Sequence, residues 1–206
     1  MKFSETFKLK YYPLMFKPGH PSNPIRKRGD NFEFIFKYLE KIKDPIILET
    51  GVMRSDHGEM AFGDDGCSSF LFDQFINIHG GSFTSVDINE NNCRHARSKI
   101  SGKSKIICSD SIPFLWNYKE KVDMVYLDSY DIELNDPTPS MIHHMKELAC
   151  LLKNFKQETL IVIDDHDAFF TGGKIGKGNI IKEFMVQIGK KPIFENYQIG
   201  FIFGKD

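Results

Sequence analysis

The apolar run Leu160-Ile161-Val162-Ile163 passes directly into Asp164-Asp165-His166-Asp167. Carboxylates this close together can hold a hard divalent cation through oxygen. An imidazole with an ordinary pKa near 6.5 suits proton transfer at neutral pH. Four other apolar runs end in the same kind of residue. Residues 46–49 lead to Glu49-Thr50-Gly51, 82–87 end at Asp87, 104–109 lead to Ser109-Asp110, and 122–128 end at Asp128. One acid after one strand is as well explained as a cap on the next helix. Five in succession point to a shared site.

A parallel sheet is the element that would gather them. Helical patterns lie between the runs, at 67–79, 88–100 and 139–155, each with an apolar stripe and a polar back. This alternation predicts an α/β fold whose sheet is sandwiched by helices. Ligands of such sheets collect at the carboxyl ends of the strands. Further on, a helix over "NIIKEFMVQIG" is followed by two β-like runs in "KPIFENYQIGFIFG", too close together for a crossover helix, which predicts an antiparallel hairpin. Upstream, "NFEFIFKYLEKI" has helical spacing with Asp30 as its expected cap, and residues 1–29, rich in Pro, aromatic and basic residues, read as an irregular arm.

Composition narrows the partners. The chain has 206 residues, 41% hydrophobic and 27% charged, with 19 Phe, the profile of one globular domain with a bulky core. Its 27 basic and 28 acidic side chains give a formal charge of −1. Such a chain has no field for a polyphosphate, and nucleic acid is not expected as a partner. No run is long and apolar enough for a membrane span and "MKFSETFKLKYY" lacks a signal-peptide core, so a soluble, cytoplasmic protein is expected. Cys67, Cys93, Cys108 and Cys150 are widely spaced and read as reduced thiols, mostly buried.

With these residues in view, the chain from 45 to 206 resembles the class I S-adenosylmethionine-dependent methyltransferases, specifically the metal-dependent O-methyltransferases of the catechol and macrocin kinds. The family's E-x-G turn appears as "LETG", its ribose-binding acid as Asp87 in "SVD", and its adenine loop as "CSDS". The resemblance implies a Rossmann-like, doubly wound, seven-stranded and mostly parallel sheet with a C-terminal antiparallel hairpin, forming one domain over 1–206 with its cofactor-binding core at 45–206. It implies S-adenosylmethionine as cofactor, bound by Glu49, Gly51, Gly66, Ser68, Asp87, Asp110, Ser111 and Asp128. Here "VMRSDHGEMAFGDDG" enlarges the loop after the first strand, so that Gly66, Cys67 and Ser68 become a delayed helix start. Its backbone N–H groups would receive the cofactor's carboxylate. His57, Glu59, Asp64 and Asp65 of that loop are expected near the acceptor, or as turn and cap residues.

Asp128, Asp164 and Asp165 would then converge beside the methyl donor, where three crowded carboxylates need a compensating cation. Oxygen-only ligands favour Mg²⁺, then Mn²⁺. In the resembling enzymes this metal holds and acidifies the acceptor hydroxyl. Catechol-type enzymes place a Lys three residues after the first metal Asp, whereas "DSYD" has Asp131 there. His166 becomes the first candidate base, with His57 and Asp131 behind it. "GGKIGKGN" departs from a phosphate loop and reads as a mobile lid. Adjacent helical positions keep His143 and His144 from sharing a metal. The acceptor is expected to be a hydroxylated small molecule, such as a sugar or secondary metabolite. An aminopropyltransferase and a non-catalytic cofactor-binding module remain open, as does a homodimer built on the arm.

Overall fold

The computed structural model describes residues 2–15, 24–54, 62, 65–167 and 175–204, with the side chains of 24–27 excepted. Seven strands form one sheet: β1 (Ile46–Thr50), β2 (Ser82–Asp87), β3 (Lys105–Cys108), β4 (Val122–Leu127), β5 (Phe155–Ile163), β6 (Phe194–Glu195) and β7 (Ile199–Phe203). Their order is β3-β2-β1-β4-β5-β7-β6. The first five are parallel, and β7 runs antiparallel to both β5 and β6. This is the doubly wound sheet with a closing hairpin that the sequence predicts. The strand order reverses between β1 and β4, which in such sheets opens a crevice at the carboxyl ends.

The central strands are apolar on both faces because both are covered. Residues alternate between two cores: Met124, Tyr126, Leu160 and Val162 face one, and Val125, Leu127, Ile161 and Ile163 the other. The first core is packed by α1 (Phe3–Lys10), α2 (Pro24–Leu39), α3 (Ser68–His79) and α4 (Glu90–Lys99), the second by α5 (Ser111–Asn117), α6 (Thr138–Leu151) and α7 (Asn179–Gln187).

The N-terminal expectation needs correction. Residues 3–10 and 12–15 are helical, and α2 starts at Pro24, a residue suited to a helix's first turn. Asp30 therefore lies inside α2, where it accepts a hydrogen bond from the Tyr12 hydroxyl at 2.6 Å instead of capping. Phe3, Phe7, Tyr11 and Met15 are buried in the first core beside Phe32 and Phe36. Aromatic burial on one face holds this segment against the core. It also removes Tyr11 and Met15 from any surface on which a dimer could be built. Helix α5, which carries Pro113, has no clear periodicity in sequence and is set by its cap: the Asp110 carboxylate accepts from Ile112 N at 2.8 Å. Among the described residues, no helix is long and apolar enough to cross a membrane.

Candidate active site

Ladder hydrogen bonds continue past the strand ends and fix the residues that follow. Gly51 N donates to Val86 O at 2.8 Å, Asp128 N to Thr50 O at 2.9 Å and Asp164 N to Leu127 O at 3.1 Å. A cavity of about 680 Å³ opens beside them, lined by Gly51, Asp87, Asp110, Ser111, Asp128 and, toward its mouth, Arg54, Tyr130, Asp131 and His143. Four strand ends thus meet in one space, and its volume suits a nucleotide-sized ligand.

Gly51 is required by close approach. Its φ is +80°, and a Cβ there would lie 2.3 Å from Asp128 O. Asp87 faces the cavity with its carboxylate already oriented: Oδ2 accepts from Val52 N at 3.1 Å and Oδ1 from Asn89 N at 2.7 Å. Each oxygen keeps a second lone pair for a ligand hydroxyl. Asp110 and Ser111 form the next wall, with Ser111 Oγ 3.1 Å from His143 Nε2.

Glu49, Gly66 and Ser68 stand apart from that lining. Glu49, a residue of β1, is fully buried, and its Oε2 accepts from Ser69 Oγ at 2.6 Å and ties α3 to the sheet. Burial pushes its carboxyl up to about 7. Gly66 packs on Arg28, and a Cβ there would be 2.9 Å from that guanidinium. The delayed helix start is present: α3 begins at Ser68, preceded by Cys67 in a left-handed conformation that provides no capping side-chain bond. Asp65 of the enlarged loop lines the cavity and accepts from Arg54 N at 3.2 Å. His57, Glu59 and Asp64 lie outside the described residues.

The three aspartates do converge, with one oxygen of each within 4.8 Å of the others. Two cations are already among them. Lys177 Nζ is 2.7 Å from Asp128 Oδ1 and 3.0 Å from Asp165 Oδ2, and Arg28 Nη2 is 2.8 Å from Asp164 Oδ2. Both cationic side chains are almost wholly buried. Tyr197 adds a hydroxyl donor to Asp165 Oδ1, and its ring lies 4.3 Å beneath the Arg28 guanidinium. Burial raises the Asp164 carboxyl, with Arg28 opposing. Burial acts the same way on Asp165, but Lys177 and Arg28 outweigh it and hold that carboxyl below its ordinary range. Asp128 and Asp165 in turn keep Lys177 firmly protonated against the effect of burial. The donor chemistry suits Mg²⁺, yet an ion held by all three carboxylates would have to share two of them with this ammonium. The residues as arranged do not fit a divalent metal beside Lys177.

The candidate bases are separated. His166 is completely buried outside the cavity lining, with its backbone N–H donating to Tyr197 O at 2.7 Å and its ring Nε2 3.5 Å from Glu195 Oε1. Asp165, at φ 49°, turns the chain so that the next side chain faces β6 and β7. Asp131 does line the cavity, held by Arg54 Nη1 at 3.1 and 2.8 Å.

Three participants were not anticipated. Arg28 belongs to the basic cluster 26–28, which gave no hint of burial. Lys177 sits in the segment expected as a mobile lid. Residues 168–174 of that stretch lie outside the described residues, but Gly176 packs so tightly that a Cβ would fall 1.7 Å from His166 O, and Lys177 N donates to Asp165 O at 3.1 Å. Flanking glycines at 176 and 178 were the available signal. His143 reaches Glu147 Oε1 at 3.2 Å, and Glu147 also accepts from Thr50 Oγ1 and Ser129 Oγ at 2.9 and 2.7 Å. Their spacing of four on one helix could have revealed the pair.

No protein-family model and no curated protein matches the sequence. Solved structures do resemble it. MycE methyltransferase of the mycinamycin biosynthetic pathway, in complex with Mg, SAH and mycinamycin VI, superposes with a TM-score of 0.61 at 16% identity over 98% of this chain and 54% of that one. The Podospora anserina methyltransferase PaMTH1, bound to SAH, gives 0.60 at 10% identity, covering 99% and 86%. CalS11, a TDP-rhamnose 3′-O-methyltransferase of calicheamicin biosynthesis, gives 0.55 at 10% identity, covering 98% and 94%. The fold is that of S-adenosylmethionine-dependent methyltransferases. Within this methyltransferase fold the chain spans about half the length of MycE, and the cavity occupies the strand-end crevice between β1 and β4.

Proposed function

We propose that the protein is an S-adenosylmethionine-dependent O-methyltransferase acting on a hydroxylated small molecule, such as a sugar or another secondary metabolite. The observation that carries this reading is the convergence of Gly51, Asp87, Asp110 and Asp128, from four strand ends, on one 680 Å³ cavity. Asp87 would accept the ribose hydroxyls, Asp110 and Ser111 would address the adenine, and Gly51 lets the backbone approach the ligand. The backbone at the start of α3 is the candidate for the amino-acid end. The cofactor supplies an electrophilic methyl group on a sulfonium. The chain's own task is to orient the acceptor oxygen, shield it from water and receive its proton. Tyr130, Asp131 and His143 stand at the acceptor side, and Asp131, steadied by Arg54, is the carboxylate we assign to take that proton. Two fold neighbours, MycE in complex with mycinamycin VI and the TDP-rhamnose 3′-O-methyltransferase CalS11, support a polyhydroxylated substrate.

Calorimetry with S-adenosylmethionine and S-adenosylhomocysteine tests the cofactor, and transfer of a labelled methyl group to a panel of sugar nucleotides and polyphenols tests the reaction. Micromolar binding with turnover is expected. Failure of both nucleotides to bind sinks the reading. A cofactor-binding module without turnover is the second reading, favoured by the burial of His166 away from the cavity; binding without methyl transfer to any panel member would select it.

A further inference from the structure

We propose that Lys177 is the resident cation of the Asp128–Asp164–Asp165 cluster, standing where a divalent metal would bind, so that the site operates without one. The Lys177 ammonium contacts two of the three carboxylates, at 2.7 and 3.0 Å, and Arg28 contacts the third at 2.8 Å. Lys177 is delivered there by backbone packing and has not simply drifted in. Gly176 lies against His166 O with no room for a side chain, and Lys177 N is anchored on Asp165 O. Charge accounting agrees. Three carboxylates and two cations leave only one negative charge in excess. A divalent ion added to the same cluster would give it a net positive charge and bring the metal against an ammonium that touches two of its ligands. Like charges at such separations repel strongly in a buried site.

Lys177 is on this view a positioning residue. It sets the orientation of Asp128, whose other side faces the cavity. The inference rests on the methyltransferase reading only for the purpose of the site, because its test reads metal directly.

Mn²⁺ binding, followed by loss of the free-ion electron paramagnetic resonance signal, is measured on wild type, Lys177→Ala and Lys177→Arg, with thermal melts in Mn²⁺ and in chelator. Wild type and Lys177→Arg are expected to leave Mn²⁺ free and to melt identically in both. Lys177→Ala, with three carboxylates facing one remaining cation, is expected to bind one Mn²⁺ at least about tenfold more tightly and to gain melting temperature with it. Stoichiometric Mn²⁺ binding by wild type, lost in Asp165→Asn, would overturn the proposal, as would a folded Lys177→Ala that binds no more Mn²⁺ than wild type. If Lys177→Ala does not fold in either condition, the wild-type titration decides alone. Failure of the methyltransferase reading would show instead as absent S-adenosylhomocysteine binding.

Discussion

Lys177 Nζ and Asp128 Oδ1 lie 2.7 Å apart across 49 positions of sequence. The contact joins the residue after β4 to the turn before α7, so the floor of the cavity and the segment behind it are one electrostatic unit. Lys177 is buried and Asp128 half-buried, and removing one partner of a fully buried ion pair costs about 3–5 kcal/mol, an upper bound for this one. Lys177→Met is expected to lose stability up to that bound in urea unfolding, and less in an Asp128→Asn background. A double-mutant cycle with no coupling between these positions would contradict the pairing.

Asp87 should matter to the ligand more than to the fold. Its carboxylate orients on two backbone N–H groups and still faces the cavity. Asp87→Ala is expected to weaken S-adenosylhomocysteine by about 1.5–3 kcal/mol, the range for charge-assisted hydrogen bonds. Asp87→Asn should lose less, because the amide keeps one acceptor. Unchanged affinity in both variants by calorimetry would remove Asp87 from the binding site.

Glu49 and His144 give opposite pH dependences. Burial raises Glu49 from 4.5 to about 7 and lowers His144 from 6.5 to about 4. The folded protein binds the Glu49 proton more tightly than the unfolded chain does, so this group makes stability fall as pH rises from about 4.5 through 7. His144 does the reverse: the unfolded chain takes up its proton first, and stability is lost as pH falls from 6.5 toward 4. In wild type the two nearly cancel. Glu49→Gln should expose the His144 slope, with stability climbing between pH 4.5 and 6.5. Above pH 7 the variant should be more stable by on the order of 3 kcal/mol, less any loss at Ser69. Melting curves across this range check it, and parallel profiles for the two proteins would refute it.

Gly51→Ala tests the close approach at the crevice. A methyl group there would press on Asp128 O at 2.3 Å and force a residue into φ +80°. The expected loss is about 1–3 kcal/mol of stability, together with weakened nucleotide binding because the ends of β1 and β4 are pushed apart. Wild-type affinity in the variant would show that the backbone does not approach the ligand there.

Much of the architecture is legible in the chain because it is local. The apolar runs at 46–49, 82–87, 122–128 and 159–164 become β1, β2, β4 and β5 within a residue or so, except that β5 starts earlier, at Phe155. Acids at the ends of β2 and β4, and Asp110 just beyond β3, reach the cavity because a parallel sheet aligns the carboxyl ends of its strands. What escaped depends on partners far along the sequence. Residues 3–10 and 12–15 fold against α2 and α3, which bury Phe3, Phe7 and Met15 through partners that lie well beyond this segment in the sequence.

The acid cluster shows the same division. The sequence determined that Asp128, Asp164 and Asp165 would meet, and that their charge would need compensation. It did not determine what compensates them. Arg28 reaches Asp164 across 136 positions, and Lys177 reaches Asp128 across 49. His166 is adjacent to Asp165 yet turned toward β6 and β7 by a left-handed backbone at φ 49°. Electrostatic attraction acts through space, and only packing decides which charges are brought within 3 Å of one another and which neighbour in the chain is carried to the opposite side.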